Sequence, residues 1–346
     1  MKLLDSFKEK AIARIPMKVC MMGPRAVGKT TILTAIFNDT QDNIGATTNL
    51  LLRAEGDTNA ELTDRKHQLN AIFAARKQIT DKPAAGLAAS STVNTFDFVF
   101  GLKGKEPRID LEIKDFPGEY VQSRPQDVEQ FIDESSAIFV AIDTPHLMEE
   151  GGIYCEAKNK TRIITEFFKS SLQKIEGEKL VLLVPLKCER YFFEHRMDDV
   201  LKQVESVYGE LITLFRQSGK VACAVTPILT LGGVEFDHFT MQGTSIPLTG
   251  DGCPQEVVYR FRTDSPTYNP AFCVQPLYYM LSFLAAKYGR EKQNRSFIDK
   301  LFTAIYDLFD SDEELFDEIL RMEKNRKTTL MGYNVECGAD LFKYCK

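Results

Sequence analysis

Metal-binding spacing is missing from this chain. Its eight cysteines, Cys20, Cys155, Cys188, Cys223, Cys253, Cys273, Cys337 and Cys345, include no C-x-x-C pair, and its four histidines, His67, His146, His195 and His238, share no ligand-like interval. A zinc site therefore has no support. There is no defensible Ser/His/Asp nucleophile pattern. No apolar run reaches the ~20 residues needed to cross a bilayer; the strongest candidate, Val274 to Ala286, is interrupted by Gln275 and Pro276. The segment Met1 to Pro16 lacks the uninterrupted apolar stretch of a secretory signal. An excess of positive charge is lacking too: 43 Lys and Arg against 49 Asp and Glu leave a net charge of −6, which gives no case for a nucleic-acid partner.

What is present is the composition of an ordinary soluble globular protein, 44% hydrophobic and 27% charged over 346 residues. That length allows one large domain or two smaller ones. Cys20, Cys188 and Cys223 lie on or beside apolar runs, as reduced small hydrophobes do, and the cytoplasm is the expected compartment.

The most informative segment is Gly23-Pro24-Arg25-Ala26-Val27-Gly28-Lys29-Thr30. It follows the apolar run Met17 to Met22 and precedes a helical stretch, Thr31 to Phe37. G-x-x-x-x-G-K-[ST] between strand and helix is a phosphate-binding loop. Its glycines let the backbone fold around an anion, and the helix N-terminus aims amide N–H groups at it. Lys29 is expected on the β- and γ-phosphates and the Thr30 hydroxyl on Mg²⁺. Downstream, Asp115-Phe116-Pro117-Gly118 closes the alternating run Arg108 to Lys114. There Asp115 is expected at the Mg²⁺ ion, with the Gly118 N–H near the γ-phosphate.

The remaining pattern alternates strand and helix. Lys2 to Arg14 reads as an amphipathic helix, packed on its own domain or on a partner. Asp39 to Leu52 reads as loop, Ala54 to Gln78 as a long helix, and Asp81 to Ser91 as loop. Thr92 to Leu102 reads as an edge strand in a hairpin with Arg108 to Lys114. Ala137 to Ile142, Leu180 to Leu186 and Val221 to Leu229 are continuous apolar runs, as strands buried on both faces are. Helical stretches lie around Lys160 to Ile175 and Asp198 to Gln217. One strand, Glu256 to Arg262, is expected between Glu235 and Pro270, then helices at Gln275 to Lys287 and Ser296 to Phe309. The acidic run Asp310 to Glu318 reads as a solvated helix face. The fold class is α/β: a doubly wound, mostly parallel sheet with one antiparallel edge hairpin and a helical C-terminal extension. The expected division is an N-terminal helix over residues 1–16, a nucleotide-binding domain over 17–290 with insertions at about 40–90 and 235–270, and the extension over 291–346.

Two strand ends complete the pattern: Val184-Pro185-Leu186-Lys187-Cys188-Glu189, and Thr226-Pro227-Ile228-Leu229-Thr230-Leu231-Gly232. Together with the phosphate loop and Asp115 they resemble the small-GTPase-like branch of P-loop proteins, Ras-type in strand order, over roughly Met17 to Ala286. Asp115-Phe116-Pro117-Gly118-Glu119 and the Thr-Pro-x-x-Thr-Leu-Gly end are similar to the bacterial double-GTPase family, whose members are suspected parts of defence or conflict systems. The resemblance implies a GTP-binding and GTP-hydrolysing switch using Mg²⁺, with an effector or companion GTPase as partner. Oligomerisation stays open.

The resemblance also assigns residues. Gly23 to Thr31 and Gly118 hold the phosphates. Lys187 and Glu189 read the guanine base, with Leu186 and Glu189 standing where relatives have Asn or Thr and Asp. Thr230 lies in a base-contacting loop. A first-switch threonine completes the Mg²⁺ site; Thr92 is best placed, with Thr47, Thr48 and Thr95 as alternatives. Lys29, Glu119 and Arg25 form the catalytic set. Glu119 replaces the usual Gln, and either polarises the attacking water or repels the γ-phosphate and slows the reaction. Arg25 acts as a built-in arginine finger or points outward. His146, after Asp143-Thr144-Pro145, is a minor candidate. Two other readings remain: an ATPase or P-loop kinase, and a nucleotide-dependent assembly module with little turnover.

Overall fold

In the computed structural model, residues 14–40, 49–75, 79–80, 92–175, 177–293, 315, 318–319, 321 and 334–343 are described. In chain order the elements are β1 (Ile15–Met22), α1 (Lys29–Asp39), β2 (Leu50–Ala54), α2 (Asp57–Ala75), β3 (Ile79–Thr80), β4 (Asn94–Leu102), β5 (Ile109–Asp115), α3 (Tyr120–Ser123), α4 (Pro125–Glu134), β6 (Ala137–Asp143), α5 (Thr144–Met148), α6 (Cys155–Asn159), α7 (Thr161–Leu172), β7 (Lys179–Leu186), α8 (Glu189–Phe193), α9 (Met197–Val207), α10 (Gly209–Ser218), β8 (Val221–Val225), β9 (Val234–Phe239), β10 (Val257–Phe261), α11 (Gln275–Gln293) and β11 (Asn334–Cys337).

Every residue of β6, β7 and β8 is buried, because helices cover both faces of these strands. The main sheet has the order β11-β8-β7-β6-β1-β5-β4-β2. Strands β8, β7, β6, β1 and β5 run parallel. One face packs on α1, α2 and α11 through Ile32, Leu62, Leu277 and Phe283. The other packs on α4, α7, α9 and α10 through Ile132, Phe168, Val204 and Phe215. The doubly wound, mostly parallel α/β class follows directly. A second, three-stranded antiparallel sheet, β3-β10-β9, has its own small core around Phe73, Phe236, Phe239 and Tyr259.

Several expectations change. Strand β1 begins at Ile15, so Ile15 and Pro16 are strand rather than helix; Lys2 to Ala13 of the expected helix lies outside the described residues. Leu50 to Leu52, expected as loop, and Ala54, expected to open a helix, belong to β2, which pairs antiparallel with β4, so β4 is not an edge strand. The helix after β2 begins at Asp57 rather than Ala54, and residues 76–78 of its expected span lie outside the described residues. The single helix expected over Asp198 to Gln217 is two, parted before Gly209. β8 stops at Val225, and β9 is an additional strand in the insertion. The C-terminal extension is not purely helical: β11 adds an antiparallel strand beside β8. In the acidic run, Leu315 and Glu318 are buried rather than solvated. The expected loop Asp81 to Ser91 and the expected helix Ser296 to Phe309 fall outside the described residues.

Leu182 lies at the centre of β7 and is fully buried against the α1/α11 side. Leu182→Ala is expected to lower unfolding free energy by about 2–5 kcal/mol, measured by denaturant titration. A loss under ~1 kcal/mol would contradict a close-packed sheet centre.

Candidate functional site

The carboxyl ends of β1, β5 and β6 meet because β1 lies between the other two, with Met21 opposite Asp115 and Met22 opposite Val140. Ligands of open α/β sheets bind at such ends. The chain leaves β1 through Gly23, whose φ is +148°. A Cβ there would lie 2.8 Å from the Ala141 Cβ. Ala26 and Gly28 also take positive φ, 59° and 108°, and curl the loop into α1. No side chain caps the N-terminus of α1, which leaves its first N–H groups facing the loop concavity. Val27 anchors the loop by burying its side chain in the core, so its share in a site is its backbone. Pro24 is buried, Arg25 is exposed, and Thr31 is half-buried on α1.

Lys29 is buried and folds over the loop. Its Nζ donates to the Gly23 and Pro24 carbonyls at 3.3 and 3.5 Å and lies 3.8 Å from Asp115 Oδ1. Burial lowers its pKa, and the charges of Asp115 and Glu119 oppose that shift. The Thr30 hydroxyl donates to Asp115 Oδ2 at 2.7 Å. Burial raises the Asp115 pKa against the opposing effects of Lys29 and Thr30. Asp115 Oδ1 is buried without a hydrogen bond.

The Gly118 segment lies directly on the phosphate loop. A Cβ at Gly118 would be 2.4 Å from Arg25 N and 2.8 Å from Gly23 O, so only glycine permits this approach. Glu119 follows, exposed, at the start of α3. Lys158 of α6 comes to the loop as well and donates to the Arg25 carbonyl at 3.2 Å. No spacing in the sequence marked Lys158, because its approach depends on where α6 docks.

The other end of the site centres on Asp143, the last residue of β6. Its carboxylate accepts from Lys187 Nζ at 2.8 Å and is 2.6 Å from His146 Nδ1. Asn159 binds its backbone N–H and C=O. Lys187 has a positive φ of 60°, and its Nζ lies 5.2 Å from the centre of the Tyr259 ring in β10. His146 packs on Phe239 of β9. Glu189 is buried, and its Oε1 accepts the Leu231 and Gly232 N–H groups at 3.0 and 3.2 Å. The two expected base readers therefore both have internal partners: Glu189's extra methylene lets it reach the 231–232 backbone. Thr230 is buried in that same turn. Thr92 is exposed just before β4, whose Asn94 pairs with Asp115; Thr95 lies on β4, and Thr47 and Thr48 are outside the described residues. Among the described residues, no three His, Cys, Asp or Glu side chains cluster as a metal cage.

No family model matches the chain, and no curated protein matches it. Solved structures show distant likeness. The GTP-bound GTPase-like domain of S. cerevisiae Ski7 is 12% identical, with a TM-score of 0.38 over 66% of this chain and 45% of that one. The SRb-GTP/SRX signal recognition particle receptor complex from Chaetomium thermophilum is 16% identical, with a TM-score of 0.37 over 64% and 93%. Sup35 complexed with GDP is 11% identical, with a TM-score of 0.29 over 74% and 46%. This chain spans less than half of the Ski7 and Sup35 chains. At these scores the likeness carries nothing about ligand or activity. No helix among the described residues is long and apolar enough to cross a membrane.

Burial alone would raise the Asp143 pKa, but Lys187 and His146 outweigh it and hold the carboxyl well below the usual carboxylate range. Lys187 moves the other way: burial would lower it, and Asp143 holds it above the ordinary lysine range. With its folded pKa depressed, Asp143 contributes stability that is complete above the unfolded value of ~4 and is lost as pH falls through the folded value. Lys187, raised, contributes below ~10.4 and loses its contribution only as pH rises beyond that. The pair is thus intact around neutrality. Asp143→Asn is expected to cost about 3–5 kcal/mol at pH 7, with the gap to the parent narrowing from pH 4 towards pH 2. Denaturant titrations across that range measure it; a gap independent of pH would contradict the ion pair.

Proposed function

We propose that this chain is a Mg²⁺-dependent nucleoside-triphosphate switch that hydrolyses the β–γ anhydride and passes its state to a protein partner. The observation that carries this reading is the Thr30–Asp115 contact at 2.7 Å, set beside a buried lysine inside a left-handed glycine loop. A hydroxyl, a carboxylate and a buried carboxylate oxygen without a hydrogen bond are the hard oxygen donors that suit Mg²⁺ alongside phosphate oxygens. Thr30 and Asp115 would hold the ion, with Thr92 as the candidate third group, and the ion would neutralise charge on the phosphates.

The loop backbone from Gly23 to Thr31 would bind phosphate oxygens, and Lys29 would exchange its loop carbonyls for them. The Gly118 N–H would meet the terminal phosphate from the opposite side. Glu119 lies close enough for its charge to act on Lys29, and would orient water or temper turnover from that position. Arg25 is exposed at the same rim and would offer a positive charge to the transferring group. Phosphoryl transfer asks for such positioning and charge more than covalent work.

Guanine is the base implied by the sequence resemblance, with Lys187, Glu189 and Thr230 as its readers. A second reading, ATP binding or binding without base preference, is favoured by the internal partners of Lys187 and Glu189. Competition binding with fluorescent GTP and ATP analogues separates the two. A GTP preference that Glu189→Ala abolishes supports guanine readout; equal affinity supports the second reading. Under either, Lys29→Ala is expected to weaken Mg²⁺-triphosphate binding by about 10- to 100-fold, the loss of one charge-assisted phosphate contact. Unchanged binding in Lys29→Ala would overturn the site itself.

A further inference from the structure

Strand β11 is a four-residue strand at the edge of the main sheet, and β8 is its neighbour. The pairing runs Asn334 to Val225 and Val335 to Ala224, then slips by one residue, so that Cys337 rather than Glu336 faces Cys223. Without the slip, Glu336 would lie opposite Cys223. With it, both cysteines sit in the same hydrophobic cluster on the α10 side of the sheet. The irregularity is held from both ends. Arg216 of α10 donates to the Glu336 carbonyl at 3.2 Å. Gly338 presses on β8, where a Cβ would lie 2.5 Å from Val221 O. Cys337 Sγ donates to the Val221 carbonyl on β8 at 3.6 Å, and both cysteines are free thiols.

Opposed residues of antiparallel strands have Cα atoms about 4.5–5.5 Å apart, inside the ~4.4–6.8 Å range that a disulfide takes. We propose that Cys223 and Cys337 form an oxidisable dithiol that a small-molecule disulfide converts into a bridge, clasping the C-terminal strand to the sheet. Cys337 is the entry point: it is 7% exposed on an edge strand, whereas Cys223 is fully buried. Its neighbours favour the thiolate: the adjacent Cys223 and the Arg216 guanidinium hold its pKa below the usual thiol value, against the opposing effect of burial.

In the first step the Cys337 thiolate attacks one sulfur of the small disulfide. The S–S bond breaks, one thiolate leaves and takes up a proton, and a mixed disulfide remains on Cys337. Cys223 then loses its proton to solvent and attacks the Cys337 sulfur. The Cys223–Cys337 bond forms as the second small thiolate leaves. The protein loses two electrons and two protons, and the small disulfide becomes two thiols. The site is independent of the nucleotide reading, at the far edge from the phosphate loop in strand order.

The test treats the natively folded full chain, in a Cys345→Ser background, with oxidised glutathione, followed by intact mass and a non-reduced peptide map. The expected result is a loss of two hydrogens and a Cys223–Cys337 cross-linked peptide, both absent in Cys337→Ser. Because that variant could also fold less well, the oxidised and reduced parent are compared directly. Oxidation is expected to raise the melting temperature and slow proteolysis within 334–343, and reductant is expected to reverse both. A persisting glutathione adduct on Cys337, a bridge between other cysteines, two thiols that remain alkylatable, or a bridge that leaves melting unchanged would each overturn the clasp.

Discussion

Taking the carboxylate of Asp143 out of water is costly unless neighbouring groups answer its charge, and the upper end of the molecule is arranged around that requirement. Its partners come from different elements: Lys187 from the end of β7, His146 from α5 and Asn159 from α6. Each must reach one buried atom group, so the ends of β6 and β7 and both short helices are drawn together. The second sheet then rests on the result, through Tyr259 beside Lys187 and Phe239 against His146. These contacts tie β9 and β10 to the ends of β6 and β7.

The phosphate loop answers a different constraint, the close approach of backbones. The loop is pressed between Ala141 on one side and the Gly118 segment on the other, and neither gap has room for a Cβ. Strand order does the rest. Because β1 separates β5 from β6, their carboxyl ends deliver Asp115, the glycine loop and Ala141 to one place. A buried ammonium, a hydroxyl and a carboxylate then gather in a setting where burial disfavours each charged form and so makes their pairing count. Lys158 arrives at the same loop by an independent route, fixed through its neighbour Asn159 to Asp143.

The glycine loop between β1 and α1, the Asp115 strand end and the buried central strands were legible because their signals are local: glycine spacing, a carboxylate at a strand end, continuous apolar runs. The strands Leu50–Ala54, Val234–Phe239 and Asn334–Cys337 were not. Each is short and set among polar residues, and each exists because a distant strand completes its hydrogen bonds. Leu315 and Glu318 carry the same lesson: the acidic run looked solvated, yet its leucine packs into the main core.

The sequence by itself determined the chemistry on offer at each strand end, because a left-handed loop needs glycine and a phosphate loop needs Lys29 and Thr30 at set intervals. Only the tertiary structure decided what those groups hold. Lys187 and Glu189 are adjacent to a recognisable strand end, yet their partners lie 44 residues back at Asp143 and 42 residues on at Leu231. The turn of a glycine loop is governed by neighbours in the chain, whereas the partner of a buried charge, like the partner of a short strand, is chosen by strand order and packing, which no local spacing records.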